Sequence, residues 1–309
     1  ASPLVTIAAF VCPMSHSACK PVIASVLGHP IDSPNDIIRM HAAVRQNSMD
    51  VLQADHALSG IDIALWDLLG KRYEQPTWKL LGYDRAYPKI PYASMLFGDT
   101  PHETLIKCQA MRERGFQVIK LGWGPFGKNG AQADADQLAA AREGLGAEAR
   151  LCVDVGTVWS DDLTQAQDRL EMLKRANVLW LEEPFHTGAF KAYRSLADQC
   201  APVQLAGGEA AHNEFMALHM IDYAGVGYIQ IDTGRIGGIT SAKRVADYAA
   251  ACNIRFVNHT FTSHLALSAS LQPYAGLRDH DLCEYPVELK SLAFELTRDH
   301  LLPDANGMI

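Results

Sequence analysis

From about residue 88 onward, short apolar runs alternate with stretches in which apolar residues recur three and four positions apart. The runs are IPYASML (90–96), QVIKLG (117–122), RLCVDVG (150–156), NVLWLEEP (177–184), PVQLAGGE (202–209), GYIQID (227–232), RFVNHT (255–260) and HDLCEYP (280–286). Their length and their flanking Gly, Pro, Asn and Asp predict strands, and the periodic stretches between them predict helices. The helical stretches are HETLIKCQAMRERG, DADQLAAAREGLG, TQAQDRLEMLKRA, FKAYRSLADQC, NEFMALHMIDYA, ITSAKRVADYAAAC and SHLALSASLQ. Eight strands alternating with seven helices through short connections predict an α/β fold of the (β/α)7β barrel type. An open, doubly wound sheet is the structural alternative. The first strand-to-helix turn has no GxGxxG loop, so a dinucleotide-binding version of that sheet is not expected. No eighth helix is visible before the chain closes on LLPDANGMI.

Residues 1–87 follow another pattern. Two helical segments stand out, IIRMHAAVRQ and ALSGIDIALWDLLGKRY, without a complete array of strands. We expect an α+β capping domain here, incomplete in this chain, packed against the barrel mouth. The expected division is 1–87 capping domain and linking helix, 88–286 barrel, and 287–309 a return towards the capping domain.

The charge balance narrows the partners. A formal charge of −8, with no basic run, argues against nucleic acid or an anionic membrane. No apolar stretch reaches membrane-spanning length, and no basic flank leads into an apolar N-terminal core, so a soluble cytoplasmic protein is expected. The seven cysteines, at 12, 19, 108, 152, 200, 252 and 283, include no CxxC pair. An odd, dispersed set fits a reducing compartment, with Cys152 and Cys283 expected as small buried hydrophobes inside strands.

In a barrel of this kind, functional side chains sit where strands end at the C-terminal face. The polar residues ending the predicted strands are Lys120, Asp154, Glu182, Glu209, Asp232, His259 and Glu284. From Asp154 the steps are 182−154=28, 209−182=27, 232−209=23, 259−232=27 and 284−259=25, each about one βα unit. Unrelated surface charges would rarely keep that phase. Asp154, Glu182 and Glu209 end three successive strands, and three converging anions repel unless a cation lies between them. Carboxylate-only ligation selects a hard ion, and octahedral Mg²⁺ suits it. Taken singly, each acid could equally cap a helix or pair with a local base. On the next two strand ends, Asp232 beside His259 would fix the imidazole tautomer and raise its basicity, making a proton-transfer dyad. A lone histidine is usually a core or helix-capping residue, and His264 is expected to be one. Lys120, in the apolar setting VIKLGWG, would lie across the mouth from His259, neutralise carboxylates and hold substrate rather than snorkel to the surface.

The motifs VDVGTVW, WLEEPF, AGGE, QIDTGRIGGIT, VNHT and CEYP at these strand ends resemble the mandelate racemase subgroup of the enolase superfamily. The resemblance covers roughly 88–286, and ALSGIDIALWDLLGK (57–71) is similar to the helix that leads from the capping domain into the barrel. It implies a modified TIM barrel. Asp154, Glu182 and Glu209 would bind Mg²⁺, Asp232 and His259 would be the general-base dyad, and Glu284, once protonated, would hydrogen-bond the carboxylate as it becomes an enediolate. Arg235 would be structural or close to the mouth, and symmetric homo-oligomers are common in such relatives.

Two departures bear on the reaction. The second strand of the family commonly ends in KxK, whose second Lys is a base on the face opposite the His; here it is Lys120-Leu121-Gly122. An Asn often found two residues after the first metal ligand is here Gly156. Both changes are expected to open space near the metal. Two-base racemisation needs an acceptor on each face of the α-carbon, whereas β-elimination of water needs only one. The expected activity is therefore Mg²⁺-dependent α-proton abstraction and dehydration of an acid sugar, such as an aldonate or aldarate, to a 2-keto-3-deoxy acid. The alternatives are a racemase or epimerase, a Schiff-base aldolase using Lys120, and a homologue that binds metal without turnover.

Overall fold

The computed structural model describes residues 24–47 and 55–309. The eight apolar runs form parallel strands: β1 (Ile90–Leu96), β2 (Val118–Gly122), β3 (Arg150–Asp154), β4 (Val178–Glu182), β5 (Gln204–Gly207), β6 (Tyr228–Ile231), β7 (Arg255–Asn258) and β8 (Leu282–Pro286). They are hydrogen-bonded in the order β7-β6-β5-β4-β3-β2-β1-β8, a nearly closed barrel rather than an open doubly wound sheet. At the remaining seam, between β7 and β8, a buried side chain replaces the ladder. Asn258 Oδ1 accepts from the Glu284 backbone N–H at 2.9 Å, and its Nδ2 reaches the Glu284 carbonyl at 3.4 Å.

Strand pleating sets what lies inside. Successive side chains point to opposite faces, so an inward residue recurs every second position. Tyr92, Val118, Cys152, Trp180, Ala206, Val257 and Leu282 form one apolar cluster within the barrel. Two positions further along their strands stand Lys120, Asp154, Glu182, His259 and Glu284. The apolar layer is the floor on which the charged residues rest. The alternate residues, such as Ile119, Leu151, Val153 and Leu181, face outward into the larger cluster shared with the helices. Cys152 and Cys283 are buried free thiols, as expected.

The helices around the barrel are α4 (Pro101–Glu113), α5 (Ala131–Leu145), α6 (Leu163–Gln167), α7 (Leu170–Arg175), α8 (Phe190–Cys200), α9 (Glu214–Tyr223), α10 (Gly238–Ala251) and α11 (His264–Leu271). Several start on side-chain caps: Thr100 accepts from Glu103 N, Asn213 from Met216 N and Ser263 from Ala266 N. The stretch TQAQDRLEMLKRA, expected as one helix, is two, α6 and α7. The chain turns at Asp168 and Arg169 because the buried Arg169 guanidinium is drawn inward to Asp134 Oδ2 (3.0 Å) and lies 5.3 Å over the Trp159 ring. After β8 only the short α12 (Ser291–Glu295) follows, and Ile309 pairs with Lys89 just before β1.

The two helical segments predicted before the barrel form α1 (Pro34–Asn47) and α2 (Asp55–Tyr73), followed by the short α3 (Thr77–Leu80). The rest of the expected capping structure, at 1–23 and 48–54, lies outside the described residues. Helix α2 packs on α10: Ile63, Trp66 and Leu69 share a core with Ile37 and Ile239. Trp66 Nε1 donates to Thr240 Oγ1 (2.9 Å), and Asp62 accepts from the Thr240 N–H (3.0 Å) and hydroxyl. This joint places the N-terminal helices beside the β6–α10 side of the barrel.

Candidate active site

All seven strand-end residues converge on the C-terminal mouth. Carboxylate oxygens of Asp154, Glu182 and Glu209 lie within 4.8 Å of one another, and all three residues are buried. Each has one oxygen held from behind. Asp154 Oδ1 accepts from Gly156 N (2.8 Å), Glu182 Oε2 from Trp180 Nε1 (3.0 Å) and Glu209 Oε1 from Arg235 Nη1 (3.4 Å). The second oxygen of each, Asp154 Oδ2, Glu182 Oε1 and Glu209 Oε2, is turned towards the two cationic side chains of the mouth. Lys120 Nζ is 3.6 Å and 2.7 Å from the first two, and His259 Nε2 is 3.0 Å from the third. Three oriented oxygens with their partner oxygens tied down could hold a hard divalent cation.

The backbone explains why Glu209, which lies two residues past β5, still points inward. Gly208 takes φ +117°, and a Cβ there would sit 2.8 Å from the Ile229 side chain and 2.9 Å from the Gln230 carbonyl. Only glycine lets the chain turn that close to β6.

His259 Nδ1 meets Asp232 Oδ2 at 2.8 Å, while Asp232 Oδ1 accepts from Gly234 N at 2.7 Å. The acid is thereby aimed and in turn orients the ring. Arg235 closes this side, with Nε 3.5 Å from Asp232 Oδ2. On the far side, Lys120 Nζ is 2.9 Å from Glu284 Oε1, and Glu284 Oε2 accepts from Thr260 N at 2.6 Å.

The electrostatics follow from burial and crowding. Burial, together with neighbouring carboxylates, pushes Asp154 up to about 7 and Glu182 to about 8, against the pull of Lys120. Burial disfavours charge on Lys120 and His259 too, but the surrounding carboxylates outweigh it and hold both well above their ordinary values. Glu209 is lowered in spite of its burial, because His259, Lys120 and Arg235 surround it. The site is an excess of anions balanced by a few cations, which a bound divalent ion would relieve.

The two glycine departures do not open space. A Cβ on Gly122 would lie 3.0 Å from Asp154 Cβ and Oδ2, and one on Gly156 would lie 2.8 Å from Trp123 Cε2. The room beside Asp154 is already taken, by the carboxylate itself and by the Trp123 indole. Several contributors went unnoticed in the sequence. Trp180 and Asn258 were hidden because one reads as a core residue and the other as the neighbour of His259. Glu183, buried and accepting from Gly208 N at 3.2 Å, braces the β4–β5 edge, and burial beside Glu209 raises it to about 7. The doubled acid in WLEEP was its signal. His264 lies outside the site, buried at the start of α11 with its ring stacked 4.8 Å from His300.

Comparison with known proteins decides the lineage. Residues 103–309 match the family described as Enolase C-terminal domain-like, and residues 16–82 match the N-terminal domain of mandelate racemase / muconate lactonizing enzyme. The chain belongs to the mandelate racemase group of the enolase superfamily. It is 30% identical to L-talarate/galactarate dehydratase of Salmonella typhimurium, over 84% of this chain and 65% of that protein. It is 29% identical to D-galactarolactone cycloisomerase of Agrobacterium fabrum, over 75% of this chain and 61% of that one. The chain thus spans less than two thirds of the length of these curated relatives. The crystal structure of a predicted mandelate racemase from Rhodobacter sphaeroides superposes with a TM-score of 0.91 at 58% identity, covering 100% of this chain and 79% of that one. This enolase-superfamily barrel has no described helix long and apolar enough to cross a membrane.

Proposed function

We propose that this protein is a Mg²⁺-dependent lyase that removes the proton α to the carboxylate of an acid sugar and then eliminates water from the β position. The observation that carries the reading is the one-sidedness of the mouth. A cavity of about 430 Å³ is bordered by His259, Lys120, Asp154, Glu209 and Glu284, with an Asp-oriented imidazole on one face and glycine where a second base would stand.

Asp154 Oδ2, Glu182 Oε1 and Glu209 Oε2 would hold the ion, which would supply Lewis-acid stabilisation of negative charge on the substrate carboxylate. Lys120 and Glu284 would border the same carboxylate, Lys120 countering its charge while Glu284 holds the ammonium in place. His259 Nε2 faces the cavity because Asp232 engages Nδ1; once Glu209, the carboxylate that most favours the charged ring, is given over to the ion, the neutral imidazole would accept the α-proton and return it to the departing hydroxyl on the same face. The product would be a 2-keto-3-deoxy acid. The similarity to L-talarate/galactarate dehydratase supports this outcome. Lys120 is an unsuitable Schiff-base nucleophile here, since its ammonium is committed to Glu182 and Glu284.

The test is a screen of purified protein with Mg²⁺ against acid sugars, scoring 2-keto acid formation and α-deuterium exchange. Activity should vanish with EDTA and fall at least about a thousandfold in His259→Asn, while metal binding and thermal stability persist. Retention of most activity by His259→Asn would sink the assignment of the base. Exchange without elimination would move the reaction to racemisation or epimerisation.

A further inference from the structure

The charged floor of the mouth is roofed by large apolar side chains that the proposed chemistry does not use. Trp123 and Phe261 are each 49% exposed, and both border the cavity. They follow β2 and β7, which lie three strand positions apart through β1 and β8, so they face the cavity from different sides. Half-exposed aromatics above a polar floor mark a surface that binds something.

Trp123 is also held there at a cost. Its φ is +57°, a left-handed conformation that a bulky side chain rarely adopts. The chain around it is fitted to that pose. Trp123 N donates to the Asp154 carbonyl at 3.2 Å, and the indole lies where a Gly156 side chain would be. Gly156 itself has φ +59°. Residue types at 122, 123 and 156 therefore act together. The strand end that could have carried a base carries instead a flat apolar wall beside a metal-ligand candidate.

We propose that this wall is a stacking platform and that the protein selects carboxylates borne on a ring, such as a pyranose or furanose acid, over open-chain acid sugars. This rests on the carboxylate-binding reading of the site given above. A sugar ring gathers C–H bonds on one face, which can lie flat on the Trp123 indole, whereas an extended polyol would press hydroxyls against it. Among the described residues, two charged side chains at the rim are already engaged. Glu288 already accepts from Leu96 N (2.9 Å) and pairs with Lys107 (2.8 Å), and Arg235 lies 5.6 Å over the Phe261 ring and is engaged with Glu209. Trp123 is thus a specificity-determining residue, not a proton-transfer group.

The experiment compares D-glucuronate, a ring acid, with L-gulonate, the open-chain acid obtained by reducing its C1, by calorimetric titration in saturating Mg²⁺. Wild type should bind glucuronate about five- to tenfold more tightly, the size of one aromatic stacking contact. Trp123→Ala should abolish that preference with gulonate affinity and Mg²⁺ affinity little changed, and Trp123→Phe should keep most of it. Equal binding of the two acids to wild type, or an unchanged preference in Trp123→Ala, overturns the stacking role alone. Failure of both acids to bind wild type with Mg²⁺ present would overturn the carboxylate site and the platform with it.

Discussion

Replacing Asn258 by alanine tests whether one buried amide both closes the barrel and sets the site. Asn258 is fully buried and makes four hydrogen bonds. Oδ1 accepts from Glu284 N (2.9 Å) and the Tyr274 hydroxyl (2.8 Å), and Nδ2 donates to Ser270 Oγ (3.0 Å) and the Glu284 carbonyl (3.4 Å). Two of the partners have alternatives: Tyr274 also reaches the Leu282 carbonyl, and Ser270 the Leu267 carbonyl. The Glu284 backbone N–H has none, so it would be left buried and unpaired, at about 1–3 kcal/mol. Adding the loss of the weaker bonds and a small cavity, we expect a total of about 3–5 kcal/mol, or a melting temperature about 5–8 °C lower. Circular dichroism with thermal and urea melts measures this. Turnover should fall more than Mg²⁺ affinity, because the seam carries Glu284 and His259 while the carboxylate triad lies on β3 to β5. A loss below about 1 kcal/mol, or an equal loss of metal binding and turnover, would refute the idea that Asn258 acts as the missing ladder.

Other consequences can be checked with single variants. Gly122→Ala places a methyl 3.0 Å from Asp154 Cβ and Oδ2, so Mg²⁺ affinity by calorimetry should fall about tenfold with little loss of fold; unchanged affinity would mean that Asp154 is free to shift. Burial raises Asp62, at the α2–α10 joint, from 3.8 to about 7. Its neutral form is favoured in the folded state, so its contribution is full below about pH 4 and lost by about pH 7, roughly 4 kcal/mol in all. Asp62→Asn should flatten the fall in stability between those limits in urea titrations, and an identical pH slope in the variant would exclude this residue as its source.

Much of the fold and most of the candidate site can be read along the chain. Barrel strands are apolar on both faces and short, and the following helices are amphipathic, so the βα alternation is a local signal. The strand-end residues are legible for a related reason: a parallel barrel puts every strand end on one face, so Asp154, Glu182, Glu209, Asp232, His259 and Glu284 converge once the period is seen. Convergence alone does not say how these residues are held. Which oxygen of each carboxylate is tied and which is turned inward depends on Trp180, Gly156 and Arg235, and that is a matter of side-chain packing. The break between α6 and α7 was not visible because it is caused by Asp134, an acid more than thirty residues earlier in the chain. The glycines at 122 and 156 read as vacant space in the sequence because a missing side chain says nothing of what moves in. Only the tertiary structure shows that Asp154 and the strained Trp123 fill it, since occupancy of a gap is decided by neighbours distant in sequence and adjacent only after the barrel has closed.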